Sequence, residues 1–191
     1  MIIVGIDEVG RGCWAGPVVA GAVALDSDFE VPAKANWKLG DSKVLSKKQR
    51  EAADEGLRLM GAPIGLGWVD AADVDKVGIT TAVKLAMQRA LEQIQTDYDE
   101  VIIDGHLNFL EDKPKTRALI KADATQPAVS AASIVAKVAR DNYMAEITAQ
   151  YPHYGFEKHV GYGTALHLEK LKLHGITELH RKSFKPIKAM I

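Results

Sequence analysis

The 191-residue sequence contains a single cysteine, Cys13. That excludes an internal disulfide and fits a reducing compartment. No apolar run approaches the ~20 residues needed to span a bilayer. The opening Met1-Ile2-Ile3-Val4 has neither the basic leader nor the apolar length of a signal peptide, so a cytoplasmic chain without a membrane partner is expected. The six histidines never recur at the i,i+4 spacing of helical zinc sites. Net charge is also scarce: a value of -1 argues against a generic polyanion binder. Repeats, low-complexity segments and long linkers are all missing.

What is present is a globular composition, 47% hydrophobic and 26% charged. A chain of this length forms one domain of ordinary size and buries roughly 70% of its unfolded surface, enough for a core without staples. The charge is unevenly placed. From Tyr151 onward seven bases stand against three acids, and five of the six histidines lie there. This divides an acidic body, residues 1–150, from a basic tail, residues 151–191. An acidic body beside a basic tail suits a carboxylate metal site next to a phosphate-binding surface, and equally an uneven, solvated exterior.

Hydrophobic periodicity gives the elements. Ile2–Ile6 reads as a strand, and Pro17–Leu25 as a second, following a Gly-Pro turn signal. Only about ten residues separate them, too few for a crossover helix, so they pair antiparallel. Ile64–Val69, Glu100–Asp104 and Ala118–Lys121 are further strands. Helices are expected after an N-cap at Ser46, over Ala71–Val77, Thr80–Gln95 and Val129–Gln150, and over Thr164–His174, where Gly175 stops it. Tyr151–Gly161 reads as a loop. The order predicts a mixed α/β fold: a five-stranded sheet flanked by helices, with a small helical C-terminal piece.

The chemistry concentrates at strand ends. Gly5-Ile6-Asp7-Glu8-Val9-Gly10-Arg11-Gly12 sets two acids and a glycine-flanked arginine after an apolar strand. Read alone it is a strand end turning into a solvated loop. Asp104 ends a later strand, however, and Asp123 follows the next. If those strands are neighbours, four carboxylates meet at one sheet edge and raise one another's pKa. Hard oxygen ligands without thiolates favour Mg²⁺ or Mn²⁺ over Zn²⁺. Adjacent strand residues point to opposite faces, so convergence of Asp7 and Glu8 predicts that the strand ends or bulges there. Asp41, Ser42 and Lys43, ahead of the helix begun by Ser46, could meet a phosphate or form a capped, solvated helix start. Gly10-Arg11-Gly12-Cys13-Trp14-Ala15 matches the dinucleotide pattern G-x-G-x-x-A, but a Val-rich strand follows where that pattern needs a helix.

The Gly5–Gly12 stretch with Gly16-Pro17-Val18 resembles the opening signature of the bacterial type 2 ribonucleases H, ribonuclease HII. Asp41-Ser42-Lys43 with Leu45-Ser46, Ile103-Asp104-Gly105, Lys121-Ala122-Asp123, and Ser130–Lys137 with Arg140-Asp141 are similar to its later motifs. His159–Thr164, His167, and His180-Arg181 with Ser183-Phe184 complete the series in order. The resemblance implies a ribonuclease H-like fold, with a catalytic domain over residues 1–150 and a C-terminal helical substrate-binding segment over 151–191, and a monomeric, metal-dependent endonuclease. It would cut RNA–DNA hybrids, and duplex DNA on the 5′ side of an embedded ribonucleotide, leaving 3′-hydroxyl and 5′-phosphate ends. It assigns Asp7, Glu8, Asp104 and Asp123 to two Mg²⁺ or Mn²⁺ ions, with water and no side chain as nucleophile. It assigns Gly10, Arg11, Gly12 and Tyr162 to the sugar. Ser42, Lys43, Lys137, Arg181 and Lys182 are expected substrate contacts. Val44 and Val160 stand where many bacterial relatives have lysine, and Gly163 where they have proline. A resolvase- or integrase-like nuclease on the same fold and a non-catalytic hybrid-binding module are the alternatives.

Overall fold

The computed structural model describes all of residues 1–191. The opening apolar run becomes β1 (Ile2–Val9), which pairs antiparallel with the Val- and Ala-rich β2 (Val18–Asp26). After α1 (Lys47–Leu59), β3 (Ile64–Val69) adds antiparallel to β2. Two helices follow, α2 (Ala71–Val77) and α3 (Ile79–Leu91), then β4 (Glu100–Asp104) and β5 (Thr116–Leu119). These last two strands run parallel to β1 and complete the order β3-β2-β1-β4-β5. The chain closes with α4 (Ala122–Thr125), the long α5 (Pro127–Ile147), α6 (Phe156–His159), α7 (Ala165–His174) and α8 (Lys185–Lys188).

Strand alternation sorts the core into two layers. Val4, Ile6, Val101 and Ile103 face α3, packing on Val83, Ala86 and Met87. Ile3 and Ile102 face the other way, onto Val129, Ala132 and Val135 of α5. Both helices lie very close to the sheet, and glycines make room for them. A Cβ at Gly67 would collide with the Ala86 carbonyl, and one at Gly5 with the Ala128–Val129 backbone. The small residues of the first half of α5 complete that fit from the helix side.

Several boundaries differ from the expected ones. β1 does not stop at Ile6; its register with β2 continues unbroken through Asp7↔Gly21, Glu8↔Ala20 and Val9↔Val19. Backbone pairing to an apolar partner strand carries the two acids along. β5 lies two residues earlier than expected: its pairing with β4 starts at Thr116, and it ends before Lys121 (φ 58°), which turns the chain into α4. Pro127 opens α5, where a missing N–H costs nothing. The expected loop after Tyr151 contains the single turn of α6. Ser46 is the N-cap of α1 and forms a reciprocal capping box with Gln49.

Residues beyond Tyr151 share a core with the body. Tyr154, Phe156, Leu171 and Ile187 close around Ala15 and Met144. No helix is long and apolar enough to cross a membrane.

Candidate active site

The pairing of β1 with β4 ends at Ile6↔Ile103, which sets Asp7 level with Asp104 at the carboxyl ends of two parallel neighbours. Asp7 lies on the α5 face, where it is 9% exposed and shares the cleft with the Ser133 hydroxyl. Its Oδ1 also accepts the N–H of Glu8 at 2.7 Å. Asp104 Oδ1 accepts the N–H of Ala122 at 2.8 Å and that of Asp123 at 3.4 Å, so it tethers the start of α4. Asp123 is thereby held beside it. Glu8 points to the opposite face from Asp7. The expected break or bulge in the strand is absent; beyond the last rung with β4 the edge of β1 is open, and Glu8 meets Asp104 from the other side.

The carboxylates oppose one another electrostatically. Burial first, then Glu8 and more weakly Asp104, push the Asp7 carboxyl up to about 7 against the lowering effect of the Ser133 hydroxyl. Burial raises Glu8, Arg11 pulls it back, and Asp104 raises it again. Burial, then Asp104 and Asp41, raise Asp123. Asp104 is thus the acid felt by the other three. No three of the acidic or imidazole groups already converge as one metal-gripping cluster. A mutually repelling set of oxygen donors at one sheet end nevertheless suits a hard divalent cation, which relieves that repulsion.

Around the acids lies a cleft of about 210 Å³, lined by Asp7, Glu8, Val9, Gly10, Arg11, Gly12, Ser42, Lys43, Ser133, Lys137 and Tyr162. Four separate chain segments meet there. A neighbouring hollow contains Glu8, Arg11, Asp104 and Phe109, and Asp123 lines another with Lys38, Gly40 and Ser130. Gly10 ends β1 at φ 85°, and a Cβ there would strike Arg140 and the Pro17 carbonyl. Gly12 has no such reason to be glycine: a Cβ would meet nothing within 4 Å. Arg11 lies 3.6 Å from Glu8 and 5.8 Å from the centroid of the Phe109 ring. Tyr162 is 40% exposed; burial, then the Cys13 thiol beside it, raise its hydroxyl pKa.

A family model for ribonuclease HII matches residues 4–187. The chain belongs to the ribonuclease HII family. The ribonuclease HII of Geobacillus sp. (strain WCH70) is 44% identical over 189 residues, taking in 99% of this chain and 66% of that protein. That of Bacillus cereus is 45% identical over 189 residues, with 99% and 71% covered. The chain therefore spans about two thirds of the length of these relatives. The solved PCNA:RNase HII complex from Archaeoglobus fulgidus aligns with a TM-score of 0.80 at 26% identity, covering 97% of this chain and 96% of that one. RNase HIII crystallised with Mn²⁺ (Bst-RNase HIII) shares the fold, with a TM-score of 0.76 at 21% identity over 98% of this chain and 68% of that one.

Within this ribonuclease HII fold, the remaining expected contacts separate. Lys43 is exposed at the cleft. Lys137 lines the cleft while paired with Asp141 at 2.7 Å. The Ser42 hydroxyl is buried and shared with Ser133 at 2.8 Å. Lys182 is exposed but lines neither the cleft nor the two hollows beside it. Arg181 is a correction. It is 0% exposed, and its guanidinium is engaged by the carbonyls of Gly16 and Arg11, so it lies behind the cleft and is not placed to meet a phosphate. Its positive charge suggested the surface; the unpartnered carbonyls that claim it are invisible in sequence. Sequence reasoning gave no role to Ser133, which lines the cleft, or to Arg140, which is buried behind it and donates to the carbonyls of Pro17, Val160 and Ala15. Their only signal was membership of the Ser130–Asp141 motif.

Proposed function

We propose that the chain is an endoribonuclease that hydrolyses the phosphodiester 5′ of a ribonucleotide, in RNA–DNA hybrids or embedded in duplex DNA, leaving 3′-hydroxyl and 5′-phosphate ends. The observation that carries this reading is the shared cleft: Asp7 and Glu8 line the same small space as Gly10–Gly12 and Tyr162. Acids suited to a cation and groups suited to a sugar are thus adjacent. Asp7, Glu8, Asp104 and Asp123 would hold Mg²⁺ or Mn²⁺. When bound, two such ions supply Lewis-acid polarisation of the scissile phosphate and neutralise the charge that develops on it.

The chain's own residues recognise the strand. The 2′-hydroxyl distinguishes RNA from DNA. Gly12, with open space over its backbone, lets a sugar approach a main-chain donor or acceptor closely. Tyr162 presents a ring and a hydroxyl from the opposite wall. Lys43 and Lys137 meet phosphates from the α1 and α5 sides, with Lys182 further along the basic tail. Water is the nucleophile, and no side chain is assigned as general base.

The test is incision of a DNA duplex carrying one ribonucleotide, in Mg²⁺ or Mn²⁺. Wild type should cut once, 5′ of the ribonucleotide, and leave the all-deoxy duplex intact. Asp7→Asn and Asp104→Asn should each lower the rate at least a hundred-fold. Gly12→Ala should keep the melting temperature and lose at least ten-fold in rate. Cutting that ignores the two acids, or that persists on all-deoxy DNA, overturns the reading. Hybrid binding without incision would favour a non-catalytic module.

A further inference from the structure

The turn that follows β1 is held from behind by two consecutive residues of the tail. The backbone of residues 14–16 lies between two partners. On one side the Gly161 carbonyl accepts the N–H groups of Trp14 (2.8 Å) and Ala15 (3.3 Å). On the other, Gly16 N–H donates to Leu179 (2.9 Å), Arg181 N–H donates to Trp14 (2.8 Å), and Ala15 pairs with His180 as an isolated bridge.

The side chains of His180 and Arg181 then reach in opposite directions. Arg181 donates through Nε (3.1 Å) and Nη2 (2.8 Å) to Gly16 O, and through Nη1 (3.0 Å) to Arg11 O. A guanidinium buried without a carboxylate is tolerated only when its donors are met, and here they are met by loop carbonyls. His180 Nδ1 accepts the N–H of Thr177 at 2.9 Å, so its proton sits on Nε2. That proton is donated to His167 Nε2 at 3.1 Å, which leaves His167 protonated on Nδ1 and donating to the Tyr162 carbonyl at 2.9 Å. One tautomer per ring satisfies the whole chain of bonds. Adjacent residues therefore hold Arg11 and Tyr162, the two walls of the cleft. The segment is anchored beyond them by Asp75 of α2, which accepts from the N–H groups of Lys182 (2.8 Å) and Ser183 (2.9 Å) and from the Ser183 hydroxyl (2.6 Å).

We propose that His180 and Arg181 are positioning residues that set the separation of the Gly10–Gly12 turn from Tyr162, and with it the rate at which a ribonucleotide-bearing strand is cut. This rests on the functional reading above. Arg181→Lys keeps a cation but has no fork to span two carbonyls. His180→Phe keeps a ring and removes the relay. Asp75→Asn loosens the anchor from outside the cleft.

The experiment compares the full chain and these three variants on the single-ribonucleotide duplex. Rate constants are taken under single turnover with enzyme saturating, well below every melting temperature. A purely structural loss lowers the active fraction and leaves that rate constant unchanged. The expected result is a fall of ten-fold or more for Arg181→Lys and His180→Phe and of at least three-fold for Asp75→Asn, with KM for the duplex within two-fold of wild type. Saturated rate constants that all fall less than three-fold overturn the proposal. So does a loss confined to KM. If the first two variants fail to fold, Asp75→Asn decides by the same three-fold threshold. A wild type that makes no incision sinks the functional reading itself, and the proposal with it.

Discussion

A carboxylate at Asp7 works against the fold that holds it. It is buried and feels the charges of Glu8 and Asp104, and its pKa is pushed from 3.8 to about 7. Between those pH values the folded chain keeps a proton that the unfolded chain has released, so stability falls as pH rises through the window. At ~1.4 kcal/mol per pH unit, the displacement amounts to about 4 kcal/mol once pH exceeds 7. In protein stripped of divalent ions with chelator, Asp7→Asn should therefore raise the melting temperature at pH 8. The gain should shrink on acidification and vanish below pH 4. A variant no more stable than wild type at pH 8 would show that Asp7 is not held under this repulsion. The placement of the candidate acids at or just after strand ends was legible in sequence. How Asp7 and Glu8 both come beside Asp104 was not, because they keep opposite faces of an unbroken strand whose ladder with β4 ends at Ile6. Arg181 was misread for a related reason: sequence shows a charge, not the carbonyls that surround it.

At the scale of elements, strands β1 to β4, capped helix α1 and the close packing of α5 follow from periodicity, caps and small residues. Element ends were read less well, since pairing with a neighbour decides them: β2 extends β1 through two acids, and β5 sits two residues earlier, ending before the left-handed Lys121. The glycines of β3 are the strictest local requirement. A Cβ at Gly67 would overlap the Ala86 carbonyl, a backbone atom that cannot rotate away. Gly67→Ala should force α3 off the sheet and cost at least the ~1–3 kcal/mol typical of overpacking. Urea unfolding measures this directly. A loss below 0.5 kcal/mol, the scale of neutral surface changes, would mean that α3 yields freely.

For the whole molecule, the acidic body and basic tail are joined through a neutral histidine core. Burial lowers His167 and His180 to about 4, and lowers His159 as well. The sign is opposite to that of Asp7. Between pH 6.5 and about 4 the unfolded chain binds protons that the native rings refuse, so stability is lost as pH falls through that range. In an Asp7→Asn background, which removes the opposing contribution of that carboxyl, urea midpoints should drop from pH 7 to pH 4.5, and adding His180→Phe should flatten the slope. An equal slope in the variant would place the acid sensitivity elsewhere. The basic tail was legible from composition; that its apolar residues share a core with Ala15 and Met144 was not, because those contacts join residues far apart in sequence.

The clasp on residues 14–16 also fixes an order of events during synthesis. A ribosome makes Asp7, Glu8 and the Gly-Arg-Gly turn first, and Thr177 to Ser183 about 170 residues later. Until that last segment emerges, the Arg11 and Gly16 carbonyls lack the guanidinium that holds them, and the His167 ring lacks its donor. A nascent chain therefore carries its acids before the backbone at Arg11 and Tyr162 is clasped from behind. The proposed nuclease is ordered only once the Thr177–Ser183 segment has been made and has docked.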